Sequence, residues 1–163
     1  MVLIRSATQD DVAALAAMNV FVHQLHAEAE PWFFKQTGPE FLAARAQAFG
    51  DALTNADNTI WVAEVGGSKL VGYLWASRRD NAESAELFAC QRLWINHISV
   101  HPDYCRQGIG EALMGAAKAL AKQRGANLSL SVHAFNTRAQ QFFAKQGFAP
   151  LIHTMWLSNS REP

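Results

Sequence analysis

Apolar positions along the chain switch between two periods, and the switches mark out its elements. Val2 to Arg5 is a short β-type run. Thr8 and Asp11 follow in a T-x-x-D arrangement, a capping box with Asp in place of the usual Glu, ahead of Val12, Leu15, Ala16, Val20 and Leu25 at near-helical spacing to about His26. The stretch AEAEPWFFKQTG, from Ala27 to Gly38, holds a proline, three consecutive aromatics and a glycine, and predicts a bent connection. Pro39 suits the first turn of a second helix, which Phe41, Leu42, Arg45, Ala48, Phe49 and Leu53 carry to about Thr54.

Thr59 to Val65 and Lys69 to Ser77 are β-rich runs joined by GGS, a strong hairpin signal, and Arg78 to Glu86 is polar and loop-like. Leu93 to Val100, LWINHISV, has the density of a central strand. Ile109, Leu113, Ala116, Ala117 and Leu120 then mark one face of a helix ending near Gly125, and Leu128 to Val132 alternates as another strand. Asn136 or Thr137 can cap a helix whose inner face is Ala139, Phe142 and Phe143; Gly147 stops it before a last strand-like run, Phe148 to Leu157. The order β-α-α-β-β-β-α-β-α-β implies a mixed sheet with helices on its faces, and no repeat or linker divides the single domain expected over 1–163.

Composition narrows the partners. Fourteen basic residues against fourteen acidic ones leave no net field to gather nucleic acid or an anionic membrane, so neither is expected and any anion recognition is local. Two cysteines without a CxxC, and six histidines without zinc-site spacing, indicate neither a disulfide framework nor a metal. MVLIRSAT lacks the apolar core of a secretory signal, and no apolar run approaches the roughly 20 residues of a membrane helix. A cytoplasmic protein with a small partner is expected.

The stretch Ile98 to Met114, ISVHPDYCRQGIGEALM, reads as a strand end, a polar turn with two glycines and a helix start, which together make an anion cradle. It is not a Walker A loop, because Gly110 is followed by Glu111 and Ala112 rather than Lys and Ser or Thr. Nor is it a dinucleotide fingerprint, whose third glycine is here Leu113. V-x-P at Val100 to Pro102 followed by R-Q-G-I-G at Arg106 to Gly110 resembles motif A of the GNAT acyltransferase superfamily. Asn136, Ala139, Phe142, Phe143, Gly147 and Phe148 reproduce the N-x-x-A-x-x-(L/F)-(Y/F)-x-x-x-G-F pattern of its motif B, and the resemblance covers nearly the whole chain.

That resemblance implies an α/β (α+β) GNAT fold: a mixed, mostly antiparallel sheet of six to seven strands, about four helices on its faces, and a splayed central strand pair. It implies acetyl-CoA as cosubstrate and no metal. Ile98, Ser99 and Val100 would pair with the pantetheine arm. Arg106, Gln107, Gly108, Ile109, Gly110 and Glu111 would hold the pyrophosphate, and Asn136 and Phe143 would line the thioester end. Two positions depart from the family pattern: Cys105 stands where Arg or Gln is usual, and Phe143 where the family's general acid is a Tyr.

Acetyl transfer to an amine needs a neutral nucleophile and support for an oxyanion. Deprotonating a lysine-type amine at pH 7 costs about 4.6 kcal/mol, an α-amine only about 1 to 1.4 kcal/mol. By comparison with characterised members, Trp94 and Asn96 stand where an acid or base is often placed. Asn96 can hydrogen-bond but is no base; His97 has a suitable pKa and would be turned inward by a strand bulge, or else is a core histidine beneath a helix. His133 could reach a substrate through water, whereas Glu64 reads as a solvated strand-end carboxylate. Candidates for the acceptor site are His26, Glu28, Glu30, Trp32, Phe33, Tyr73 and Trp75, acidic and aromatic groups that suit a cationic amine. The expected function is an acetyl-CoA-dependent N-acetyltransferase acting on a primary amine of a small molecule or peptide by direct attack in a ternary complex. A non-catalytic acyl-CoA-binding or sensing module is the alternative, and monomer and homodimer are both open.

Overall fold

The computed structural model describes residues 2–157. Strand β1, Val2–Ser6, leads through a 3-10 turn at Gln9–Asp11 into α1, Val12–Ala29; α2 is Pro39–Thr54. Strands β2, Asn58–Val65, β3, Lys69–Arg78, and β4, Arg92–Val100, precede α3, Ile109–Arg124, and the chain continues through β5, Asn127–Ser129, and α4, Thr137–Lys145. The T-x-x-D capping box forms, with both reciprocal bonds of Thr8 and Asp11 present. The sheet runs in the order β1-β2-β3-β4-β5, antiparallel except for the β4–β5 pair.

Helices cover both faces. Leu15, Ala16 and Met18 of α1 and Phe49 and Ala52 of α2 bury against Ile60, Val62 and Tyr73. On the other face Ile109, Leu113, Met114 and Ala117 of α3 and Phe143 of α4 close over Ala63, Leu74, Ala76 and Ile95. Gly72 of β3 lets α3 come this near: a Cβ there would stand 3.0 Å from the Ser99 carbonyl oxygen and 3.2 Å from the Ile109 side chain.

Two strand features shape the middle of the sheet. Trp75 pairs with His97 but Ala76 with Ile95, so Asn96 is an extra residue bulged out of β4. Alternation resumes out of phase beyond it: Ile95 and Ile98 pack towards α3, whereas Ser99 donates to the Met18 carbonyl of α1 at 3.3 Å. The second feature is the brevity of the parallel pair, which comprises Arg92 with Asn127, Leu93 with Leu128 and Trp94 with Ser129 before the strands part.

Six or seven strands were expected, and five form among the described residues. Residues 148–157, expected as a last strand, carry no regular structure, and 130–132 do not continue β5. Neither segment pairs with a strand among the described residues, and without a ladder a β-prone run has no backbone partners.

Candidate active site

β4 runs into a turn that leaves main-chain donors bare. The His101 amide donates to the Val71 carbonyl, and the Tyr104 and Cys105 amides close a 3-10 turn over Pro102–Tyr104. The next six amides, 106–111, donate to no protein group among the described residues; the Ala112 amide makes the first helical bond, to the Gly108 carbonyl at 2.9 Å. Arg106 and Gly108 both have left-handed φ, 61° and 79°, which turns successive N–H groups towards one side. A non-glycine there costs of order 1–3 kcal/mol and is held by its surroundings. Donors at the positive end of a 16-residue helix fit a pyrophosphate.

The two glycines do different things. Gly108 supplies the left-handed cap of α3. Gly110 serves packing, because a Cβ there would lie 3.3 Å from the Phe142 ring of α4. Cys105 directs its Sγ at the carbonyls of His101 and Val100, 3.6 and 3.9 Å away.

Asn136 caps α4, accepting from the Ala139 amide at 3.0 Å, so its side-chain oxygen is committed to the helix. Phe143 is 8% exposed and belongs to the core under α3, between Phe142 and Phe148.

Where β4 and β5 diverge, the loop after β5 places His133 against the end of α1. Its Nδ1 lies 2.8 Å from Glu30 Oε2. With Nδ1–H donating to the carboxylate, Nε2 keeps its lone pair. The Gln140 amide group donates to the carbonyls of His133 and Ala134 and holds the loop in place. Around the pair stand His26, whose ring is 4.9 Å from His133, and Phe34, Phe135 and Phe33. Burial first, then the neighbouring His133 and His23, hold His26 below the usual histidine range.

The other candidates sit elsewhere. The Asn96 bulge turns His97 to the α1 face, where its Nδ1 is 3.5 Å from Asn19 and its ring lies edge-on to Trp75. Burial, with Arg45 and His26 nearby, lowers its pKa to about 4. Asn96 itself is tied to Ser77 and Arg79. Tyr73 does not line an acceptor site: it is wholly enclosed, its hydroxyl accepts from Asn19 at 2.6 Å, and burial raises its pKa. Trp75 donates to Asn58 and packs on Phe49. Glu28 is exposed, and Trp32 lies at the rim beside Phe33 and Trp156. Glu64, expected to be solvated, is buried and paired with Arg5, which also bridges Asp11. The Glu30–His133 bond and the roles of Phe34 and Phe135 had no local signal, since the partners come from opposite ends of the chain. A half-open pocket of about 450 Å³ lined by Arg78, Arg92 and Arg124 lies at the paired end of β4 and β5, away from this cleft.

The turn, the bare amides and the splayed strands coincide with a family match. A profile of the Acetyltransferase (GNAT) family matches residues 21–148. The chain belongs to the GNAT acetyltransferase family. No curated protein matches it. Among solved structures, a tetramutant of the BH1408 protein of Bacillus halodurans superposes with a TM-score of 0.90 at 22% identity, over 96% of this chain and 99% of that one. A predicted acetyltransferase from Clostridium acetobutylicum, solved with acetyl-CoA, gives 0.73 at 17% identity over 97% and 96%. The aminoglycoside antibiotic 6'-N-acetyltransferase AAC(6')-Ih from Acinetobacter baumannii gives 0.74 at 15% over 99% and 100%. At these identities the likeness is one of fold, and it agrees with a GNAT sheet splayed between β4 and β5. Among the described residues no helix is long and apolar enough to cross a membrane, and no group of three or more His, Cys, Asp or Glu is placed to hold a metal.

Proposed function

We propose that this GNAT protein transfers the acetyl group of acetyl-CoA to the primary amine of a small molecule or peptide, by direct attack in a ternary complex, with His133 as the base. One juxtaposition carries the reading. The strand that leads into six unpaired amides, β4, and the strand that leads into the Glu30–His133 pair, β5, part from one another after Trp94 and Ser129, so bare main-chain donors follow one strand and a carboxylate-bound histidine the other.

Acetyl-CoA supplies an activated thioester carbonyl. The amides of 106–111 would grip its pyrophosphate, and the strand edge at Ile98 to Val100, left without a β5 partner, offers main-chain groups to the pantetheine arm. Glu30 accepts from Nδ1 of His133, which leaves Nε2 to take the proton of an incoming ammonium and places a carboxylate beside the charge the ring acquires. The rings of Phe33, Phe34 and Phe135 give a cationic amine π faces to approach. His97 fits the core position better than the role of base, since a group with a pKa of about 4 has little affinity for an amine's proton at neutral pH. Phe143 cannot protonate the leaving thiolate, but a thiol near pKa 8.5 leaves readily without help.

Calorimetry with acetyl-CoA, followed by a thiol-release assay over polyamines, amino acids, aminoglycosides and peptide N-termini, tests the proposal. Saturable binding and turnover on at least one amine class are expected. Tight binding without turnover on any amine would leave an acyl-CoA sensor, and absence of binding would remove both readings.

A further inference from the structure

One face of α2 carries a charge that no described residue neutralises. Phe41, Arg45 and Phe49 recur every four residues and so share that face. Contacts fix its two ends: the Phe41 ring lies 4.2 Å from that of His23 on α1, and Phe49, wholly buried, meets Tyr73 and Trp75 of β3, each at 5.4 Å. Arg45 projects between these contacts, and its charge reaches both Tyr73 and His97. Its Nε is buried without a hydrogen-bond partner, and among the described residues the guanidinium forms no ion pair. The Phe49 ring, its centroid 5.8 Å from the Arg45 Cζ, supplies a π face but no lone pair to accept those N–H groups. A buried guanidinium N–H without an acceptor destabilises the fold, and packing alone would be met by leucine or methionine at this position.

The unneutralised charge lies near the Glu30–His133 pair. Arg45 and His26 both act electrostatically on His97, and the His26 ring is 4.9 Å from that of His133. We propose that the acceptor is a free amino acid, its carboxylate received by Arg45 while its amine faces His133; the assignment rests on the acetyl-transfer reading above. A guanidinium meets both oxygens of a carboxylate at once, which gives the side chain the acceptor its surroundings lack. One cation at Arg45 and one carboxylate-backed base at His133 match the two poles of a zwitterion. A polyamine or aminoglycoside would bring a second positive charge towards Arg45, and like charges weaken binding. In the transfer, one ammonium proton passes to His133 Nε2 and the nitrogen bonds to the acetyl carbonyl carbon as the C–S bond breaks. The nitrogen's second proton leaves with coenzyme A as thiol, and the product is an N-acetylamino acid whose carboxylate is unchanged.

Thiol release by the full chain with acetyl-CoA should be faster with free amino acids than with their carboxamides, although a carboxamide's amine sheds its proton more easily, and slower still with polyamines and aminoglycosides. Arg45→Met, which keeps an apolar stem against Phe49, should raise KM for the preferred amino acid about 10- to 100-fold. It should leave kcat and acetyl-CoA Kd near wild type and abolish the preference over the carboxamide. Arg45→Lys, a point charge without the planar fork, should recover part of that preference. Should Arg45→Met not fold, the comparison of acid with carboxamide in the wild-type chain decides alone. Faster turnover of carboxamides or polyamines than of amino acids, or an Arg45→Met variant with unchanged KM and preference, would overturn the inference and leave acetyl transfer standing. Turnover on no amine at all would remove both.

Discussion

The anion cradle occupies six consecutive residues, 106–111, and presents main-chain amides; the Glu30–His133 pair joins residues 103 positions apart and presents side chains. The cradle depends on φ angles at Arg106 and Gly108 and on the start of α3, so most side chains along it can change without moving a donor. Cys105 illustrates this, since its Sγ faces local carbonyls and it contributes none of the six bare amides. The opposite wall depends on how α1, its bent connection and the loop after β5 meet, and any substitution there alters what the cleft can receive. On the proposed function, grip on the cosubstrate and choice of acceptor would thus be carried by parts of different mutational tolerance.

Substitutions can break each side separately. The largest effect is expected for His133→Ala, which should lower kcat/KM for the amine by about 10²–10⁴ below the amine's own pKa, recover at higher pH, and leave acetyl-CoA affinity unchanged. A flat pH–rate difference between variant and wild type would take His133 out of the proton transfer. Gly108→Val places a β-branched residue at φ 79° and should raise the acetyl-CoA Kd about 10- to 100-fold, following the 1–3 kcal/mol strain of that conformation, with the bound complex still responding to His133 as before.

A third test concerns acid stability. The His97 pKa is lowered in the folded state, so between pH 6.5 and about 4 the unfolded chain takes up a proton that the folded chain refuses, and stability falls as pH falls through that window. His97→Leu should remove up to about 3 kcal/mol of that loss, read as a flatter urea midpoint against pH. His26, lowered as well, should keep part of the slope in the variant. The smallest effect is expected for Gly110→Ala: its Cβ meets the Phe142 ring at 3.3 Å, so unfolding should cost about 1 kcal/mol less while acetyl-CoA Kd barely moves. A large Kd change would mean that Gly110 faces the ligand after all.

The elements whose signals are local were legible in advance. The capping box at Thr8, Pro39 at the start of α2, the GGS hairpin and the turn into α3 all follow from neighbours a few positions apart, and motifs A and B lie within such stretches. Three features were not. LWINHISV contains no mark of where its extra residue falls, because a bulge is decided by the register of β3. Glu30 and His133 have no sequence proximity. The run after Gly147 has the composition of a strand but pairs with no strand among the described residues, and composition cannot say whether a ladder is available. Tyr73 shows the reverse error: an aromatic beside the hairpin suggested a binding surface, but α1 and α2 close over it and Asn19 takes its hydroxyl.

The bulge at Asn96 acts as a phase shifter. Were Asn96 drawn into the ladder instead, β4 would run as a regular strand, and every side chain beyond Asn96 would change faces: His97 and Ser99 would swing from α1 towards α3, and Ile98 and Val100 from α3 towards α1. The turn of 101–108 would then leave the sheet rotated by half a pleat, aiming the bare amides at a different side of the molecule. Holding that one residue out of the ladder, upstream of the cradle, therefore sets the direction in which the donors point.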